Sequence, residues 1–244
     1  MQRTRKWTTK SGYTLYKVLG RRCNCFLLSN GTESILIDTS VRSEWDALKK
    51  RIGQICSGDN ELKALFLTHT HFDHASNAAR IKEAFQARII IHSSEAENLK
   101  GGSSPLPHGT IFFTRSILNM VDGKDLSLNH FKPAIADAVF DDKYSLETLG
   151  FNAYLLHTPG HSAGSSSLIV DDEIALVGDA MVGIIKGLIF PPFADNPEAI
   201  ASSWKRLLDT GCKLFLPSHG WANSRETVQK NYDKYIKKAQ TKEN

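Results

Sequence analysis

Four apolar runs in this sequence end in the same way. "ALFLTHTHFDH" (64–74), "AYLLHTPGH" (153–161), "IALVGDA" (174–180) and "KLFLPSHG" (213–220) each climb through branched or aromatic residues, then break into a loop that begins with or contains His or Asp. Short runs of this kind read as buried strands, and loops leaving one edge of a sheet system can converge. A fold that aligns all four would gather His69, His71, Asp73, His74, His161, Asp179 and His219, five imidazoles and two carboxylates. A single histidine after a strand is usually satisfied by a backbone carbonyl, so the weight lies in the recurrence.

The densest cluster, His69-Thr70-His71-Phe72-Asp73-His74, is costly to desolvate as plain structure. A divalent cation compensates the carboxylates and takes the imidazole lone pairs, so the string reads as metal-binding. His69 and His71, two apart on an extended segment, project the same way and can reach one ion; Asp73 and His74, at the turn into the next helix, can face a second.

Around these runs the chain alternates strand-like and helix-like segments. "YTLYKVLG", "NCFLLSN" and "SILIDT" predict strands, "EWDALKKRIGQIC" an amphipathic helix, "HASNAARIKEAF" another, "ARIIIHS" a strand and "SEAENL" a short helix. Periodicity is then lost over 101–136 among Gly and Pro breakers, which predicts a lid loop with Phe112, Phe113, Leu118 and Met120 beneath it. "SSSLIVDD" adds a strand, "NPEAIASSWKRLLDTG" a helix opened by Asn196 and Pro197, and "SRETVQKNYDKYIKKAQ" a terminal helix. At 244 residues, 41% hydrophobic and 23% charged, residues 1–244 are expected as one domain of α/β class with residues 1–11 a basic tail.

Charge and cysteine content exclude several classes of function. The net +4 sits at the ends, +4 over residues 1–10 and +3 over 228–244, leaving the middle about −3; solvated tails are expected, and no nucleic-acid partner. No run is long enough to span a bilayer and no apolar stretch follows the basic start, so no membrane partner and a cytoplasmic location are expected. Cys23, Cys25, Cys56 and Cys212 contain no CxxC pair; Cys23 and Cys25 read as small core residues.

The HxHxDH string, followed in order by "TPGHS", "GDA" and "PSHG", resembles the metallo-β-lactamase-fold superfamily over about residues 12–222. The resemblance implies an αββα sandwich, two mixed β-sheets packed face to face with helices outside and metals at one edge. It further implies His69, His71 and His161 at a first metal, Asp73, His74 and His219 at a second, and Asp179 bridging them. The bridging aspartate is similar to the glyoxalase II-like, general hydrolase branch and points away from an antibiotic substrate.

On that resemblance the cofactor is two divalent ions, zinc first, with Mn²⁺ or Fe²⁺ also accepted by an all N/O ligand set. The reaction is hydrolysis of an ester, thioester, lactone or similar acyl bond of a small molecule by a metal-held hydroxide, with Asp73 orienting the nucleophile or carrying its proton. Glutathione specificity is not expected, since about 25 residues follow His219 and the family's extra helical domain does not fit there; "GDAMVGIIKG" also lacks the tyrosine of many lactonases. The alternative is an oxidoreductase similar to persulfide dioxygenases, with one iron on His69, His161 and Asp179; a non-catalytic module and a nuclease stand further back. Ile184, Ile185, Leu188, Ile189, Phe190 and Phe193 either line a pocket or cover a sheet edge or a homo-oligomer contact, and Lys186 is the one cation of that stretch.

Overall fold

Alternation with period two runs through nearly every strand and sets the architecture. The structure, a computed structural model, describes residues 5–105, 109–110 and 129–241. One mixed sheet holds β1 (Lys6–Thr8), β2 (Thr14–Lys17), β3 (Phe26–Ser29), β4 (Glu33–Ile37), β5 (Glu61–Phe66), β6 (Arg88–His92) and β7 (Ala138–Phe140), side by side in chain order. The other holds β8 (Lys143–Ser145), β9 (Ala153–His157), β10 (Ser166–Val170), β11 (Ile174–Gly178), β12 (Leu214–Pro217) and β13 (Asn223–Ser224), also in order.

Inward residues Leu15, Phe26, Leu28, Ile35, Ile37 and Phe66 of the first sheet meet Leu155, Leu168, Val170, Leu176 and Leu216 of the second, forming the central apolar layer. The residues between them in sequence point outward. Leu27, Leu36, Leu65 and Ile89 pack under α1 (Trp45–Ile55) and α3 (Ala78–Phe85). Ile169, Ala175, Val177 and Phe215 pack under α5 (Pro197–Asp209) and α6 (Arg225–Gln240). Helix, sheet, sheet, helix is the order expected of the αββα sandwich.

Departures from the sequence reading have local causes. The helix expected over 74–85 is two: α2 (Phe72–Ala75) and α3, separated at Ser76 and Asn77. Asn77 breaks it because its amide donates to the carbonyls of Thr39 and Val41 (2.9 and 3.0 Å) instead of facing solvent. Part of the expected basic tail, Lys6–Thr8, is an edge strand paired antiparallel with β2. β7 and β8 were not expected; three residues each carry too little periodicity to read. The short helix α4 (Ser93–Gly101) begins on the His92 ring, which accepts from Ser94 N. Most of the predicted lid, residues 106–108 and 111–128 with Phe112, Phe113, Leu118 and Met120, lies outside the described residues.

The two sheets are also tied by a carboxylate. Asp171, buried in the β10–β11 turn at φ +56°, accepts from Ser11 N (3.0 Å), Ser11 Oγ (2.6 Å) and Asn152 Nδ2 (3.0 Å), joining the β1–β2 turn to the second sheet. Burial opposes its charge, but the bonds from Ser11 and Asn152 outweigh that and hold its pKa below the usual value. A native pKa below the unfolded one stabilises the fold above the unfolded value of about 3.9, and that stabilisation is lost as pH falls through the native pKa. Asp171→Asn, which tolerates the positive φ, is expected to lose about 1–3 kcal/mol at pH 7. Urea unfolding should show a smaller gap from wild type at pH 3; an equal gap at both pH values would contradict the linkage.

Candidate metal centre

Strand directions bring the four runs to one edge. β9 is antiparallel to β10 and β10 to β11, so β9 and β11 run the same way, and β12 is parallel to β11. Their carboxyl ends therefore share an edge. The exit of β5 in the other sheet reaches the same place, because Ser166 N donates to Thr68 O (2.9 Å). All seven residues singled out from the sequence meet there.

They form two groups with a carboxylate between. His69 Nε2 lies 3.0 Å and His161 Nε2 2.9 Å from His71 Nδ1, three ring nitrogens turned to one point. Beside them Asp73 Oδ2 lies 3.3 Å from His219 Nε2, and Asp73 Oδ1 lies 3.8 Å from His74 Nε2. Asp179 spans both groups: Oδ2 is 3.5 Å from His161 Nε2 and 3.3 Å from His219 Nε2, and Oδ1 is 3.7 Å from His74 Nε2.

The nitrogens facing inward are selected by what the opposite nitrogens do. His161 Nδ1 donates to Phe193 O (2.8 Å), leaving Nε2 with a lone pair for the cluster. Thr68 Oγ1 donates to Asp38 (2.9 Å) and sits 3.0 Å from His69 Nδ1, so that ring nitrogen is the donor and Nε2 is free. His74 Nδ1 meets Asp38 Oδ2 at 2.9 Å, which turns His74 Nε2 inward. Fixing the outer nitrogen in this way orients a metal-ligating imidazole.

The donor set fits divalent cations. Burial, with the charges of the neighbouring imidazoles, holds His69 well below its ordinary pKa and His71 at about 3, so both keep their lone pairs. For His74 burial opposes protonation, yet Asp73, Asp38 and Asp179 outweigh it and push the pKa up to about 9. His219 is raised in the same sense by Asp179 and Asp73 against burial. Burial likewise opposes the charge of Asp179, but His219, His74 and His161 hold it far below the usual carboxylate range. Protons on His74 and His219 thus balance carboxylates where cations would. Two buried atoms at the centre, His74 Nε2 and Asp179 Oδ1, have no hydrogen-bond partner among the described residues, and a bound cation would supply one.

Two supporting acids escape the sequence reading. Asp38 is fully buried at φ +59° and accepts from Thr68 N (2.9 Å), Ser218 Oγ (3.2 Å) and the His74 ring, tying the β4 exit to two of the converging segments. The run "SILIDT" ends in an acid much as the other four end in His or Asp, and that rule applied to β4 would have found it. Glu95 on α4 accepts from Thr70 N (3.1 Å), Ser162 Oγ (2.6 Å) and Gly164 N (3.2 Å), fastening the His71 loop to the His161 loop. Nothing local in "SEAENL" marks it. Cys23 Sγ also lies 3.7 Å from His74 Nδ1, and burial raises its pKa well above the ordinary value.

The His219 loop is held by close backbone contact. Gly220, at φ +90°, lies against Gly183, and a Cβ on Gly183 would meet Trp221 O at 1.9 Å. The loop edges a cavity of about 350 Å³ that reaches His71, Asp73, His161, Asp179 and His219 and is otherwise walled by Phe72, Pro105, Val182, Ile184, Pro191, Pro192 and Phe193 with Ser104 and Asn129. The apolar stretch after Asp179 therefore divides. Ile184 and Phe193 line the cavity, Ile189 is buried beneath it, Phe190 packs on Trp204 and Tyr235, and Ile185 and Leu188 are exposed. Lys186 is exposed and does not line the cavity.

Removing the Asp38 carboxylate leaves the buried His74 Nδ1 without its acceptor. Asp38→Ala is expected to weaken zinc binding by about 10–100-fold, as loss of such a partner does elsewhere. Asp38→Asn, which accepts the same bond and tolerates φ +59°, should lose less. Competition titration against a zinc indicator measures both; equal affinity in wild type and the alanine variant would exclude the role.

Comparison with known proteins agrees with this geometry. The family model described as the metallo-beta-lactamase superfamily matches residues 18–219. A "probable metallo-hydrolase" of Methanocaldococcus jannaschii is 26% identical over 162 residues, 66% of this chain and 68% of that protein. The hydroxyacylglutathione hydrolase GloC of Haemophilus influenzae is 27% identical over 188 residues, 76% of this chain and 79% of that one. Among solved structures, a metallo-beta-lactamase family protein of Thermus thermophilus aligns with TM-score 0.68 at 20% identity over 93% of this chain and 81% of that one. An archaeal superfamily protein of Sulfolobus tokodaii aligns at 0.61 and 19%, over 91% and 86%; at these identities the likeness concerns the fold. With both the sandwich and the family match in hand, the chain belongs to the metallo-β-lactamase superfamily.

Proposed function

We propose that the chain is a hydrolase that uses two divalent ions, zinc first, to cleave an ester, thioester or similar acyl bond of a small molecule. One observation carries the reading: Asp179 reaches His161 on one side and His74 and His219 on the other, with Oδ1 and His74 Nε2 buried and unpartnered. A mononuclear oxidoreductase would need His69, His161 and Asp179; the assembly of Asp73, His74 and His219 as a second group favours the two-ion reading. The Haemophilus relative, named a hydroxyacylglutathione hydrolase, supports an acyl bond as the target.

His69, His71 and His161 would hold one ion, Asp73, His74 and His219 the other, and Asp179 both. When bound, such a pair lowers the pKa of water towards neutrality and polarises a carbonyl. Asp73 lines the cavity, its carboxylate kept below the usual pKa by His74 and His219 against the opposing effect of burial. At neutral pH it is an acceptor, placed to orient water towards a carbonyl and pass a proton to the leaving group. Phe72, Val182, Ile184 and Phe193 exclude water around an apolar acyl group. A small-molecule substrate suits a cavity of this size.

Asp179→Asn keeps the shape and removes the shared negative charge. The variant is expected to fold with a thermal midpoint near wild type, since the central layer does not involve Asp179. It should retain an ion on the three-histidine group while losing the second, and hydrolysis of an activated ester should fall by several orders of magnitude. Elemental analysis of both proteins with parallel ester assays decides the matter. About two zinc or manganese per wild-type chain supports the reading, whereas one iron per chain, or an active variant with full metal content, rejects it.

A further inference from the structure

The open edge of the sandwich where β1 and β13 lie carries a groove apart from the metal cavity. Arg5, with Trp7, Lys17 and Phe26 of the first sheet, lines it together with Leu216 of the second sheet and Trp221 and Ala222 of the β12–β13 loop, and the groove lining contains no Asp or Glu. Two cations share it. Among the described residues neither the exposed Arg5 nor the half-buried Lys17 forms an ion pair with a carboxylate.

Lys17 lies along the groove with its tail over Gly20, where a Cβ would meet Lys17 Cε at 2.3 Å. Burial and the nearby Arg5 charge both lower its pKa. Arg5 is oriented as well, its guanidinium stacked 5.1 Å over the Trp7 ring. The two like charges disfavour one another, and an anion between them would relieve that repulsion. The remaining wall is Trp221, 67% exposed, and an indole of that exposure offers an unused stacking face.

We propose that this groove binds a phosphomonoester carrying a planar aromatic ring, with the phosphate between Arg5 and Lys17 and the ring on Trp221. A dianion matches two cations in charge, and a guanidinium pairs well with phosphate oxygens. Asn24, whose amide donates to Pro217 O and Gly220 O (both 2.9 Å), holds the floor and the Trp221 wall together. The site stands independently of the hydrolytic reading.

Adenosine 5′-monophosphate is the probe, titrated calorimetrically into the full chain as purified, with adenosine and inorganic phosphate run in parallel. The monophosphate should bind, weaken with added KCl, and bind more tightly than phosphate; adenosine should bind far less. Arg5→Met with Lys17→Met should weaken it about tenfold or more, and Lys17→Arg should retain it. Trp221→Ala should reduce the monophosphate to the affinity of phosphate, a loss of about fivefold or more. Melting curves establish that each variant is folded, and the charge-keeping Lys17→Arg separates loss of charge from loss of structure. Absence of binding at millimolar monophosphate, or binding unchanged in the double methionine variant, as would follow from phosphate held at the metal centre, overturns the proposal.

Discussion

The contact between Asp179 and the imidazoles on either side of it is the constraint around which the rest of the site is arranged. A carboxylate buried at this depth stands only if positive charge surrounds it, and His161, His74 and His219 approach it from three different loops. Those loops leave strands of one sheet and of the other. The two sheets must therefore meet with their carboxyl ends in register, and the central apolar layer of Phe26, Phe66, Leu168 and Leu216 fixes that alignment.

Outside the seven converging residues, two buried acids keep the loops together. Asp38 joins the β4 exit to the β5 exit and the His219 loop, while Glu95 joins the His71 loop to the His161 loop. Each accepts several bonds from backbone or hydroxyl groups, and Asp38 also meets the His74 ring. The arrangement leaves the inward nitrogens of His69, His74 and His161 fixed in direction. Directional imidazoles over a carboxylate form a site prepared for cations before any arrives, and the walls of Phe72, Val182 and Phe193 leave it open on one apolar side.

The family match and the hydrolase names among the relatives agree with this chemistry at the level of class. On the proposed function, substrate choice would lie in the walls, which come from the segment after Asp179 and from residues flanking the 106–128 stretch, since the converging His and Asp residues are compatible with many acyl bonds.

Much of the fold and site was legible in the sequence because the signals are local. Short continuous apolar runs identify the long strands whatever lies opposite them, and His69, His71, Asp73 and His74 declare their chemistry within six residues. The directions of β9, β11 and β12, and so the meeting of His161, Asp179 and His219, were read through resemblance and are realised by strand pairing. Other features were decided only by tertiary contact. Asn77 splits a helix because the carbonyls of Thr39 and Val41 happen to face it, and three-residue strands such as β7 exist only because β6 offers an edge. Glu95 is an ordinary helix acid in sequence and becomes a fastening between loops through partners 25 and 67 residues away. Arg5, part of the expected tail, comes to line one groove with Lys17 and Trp221 only through the fold at the β1 edge. Hydrogen bonding and charge pairing at long sequence separation leave no periodic trace, so only the folded chain contains that information.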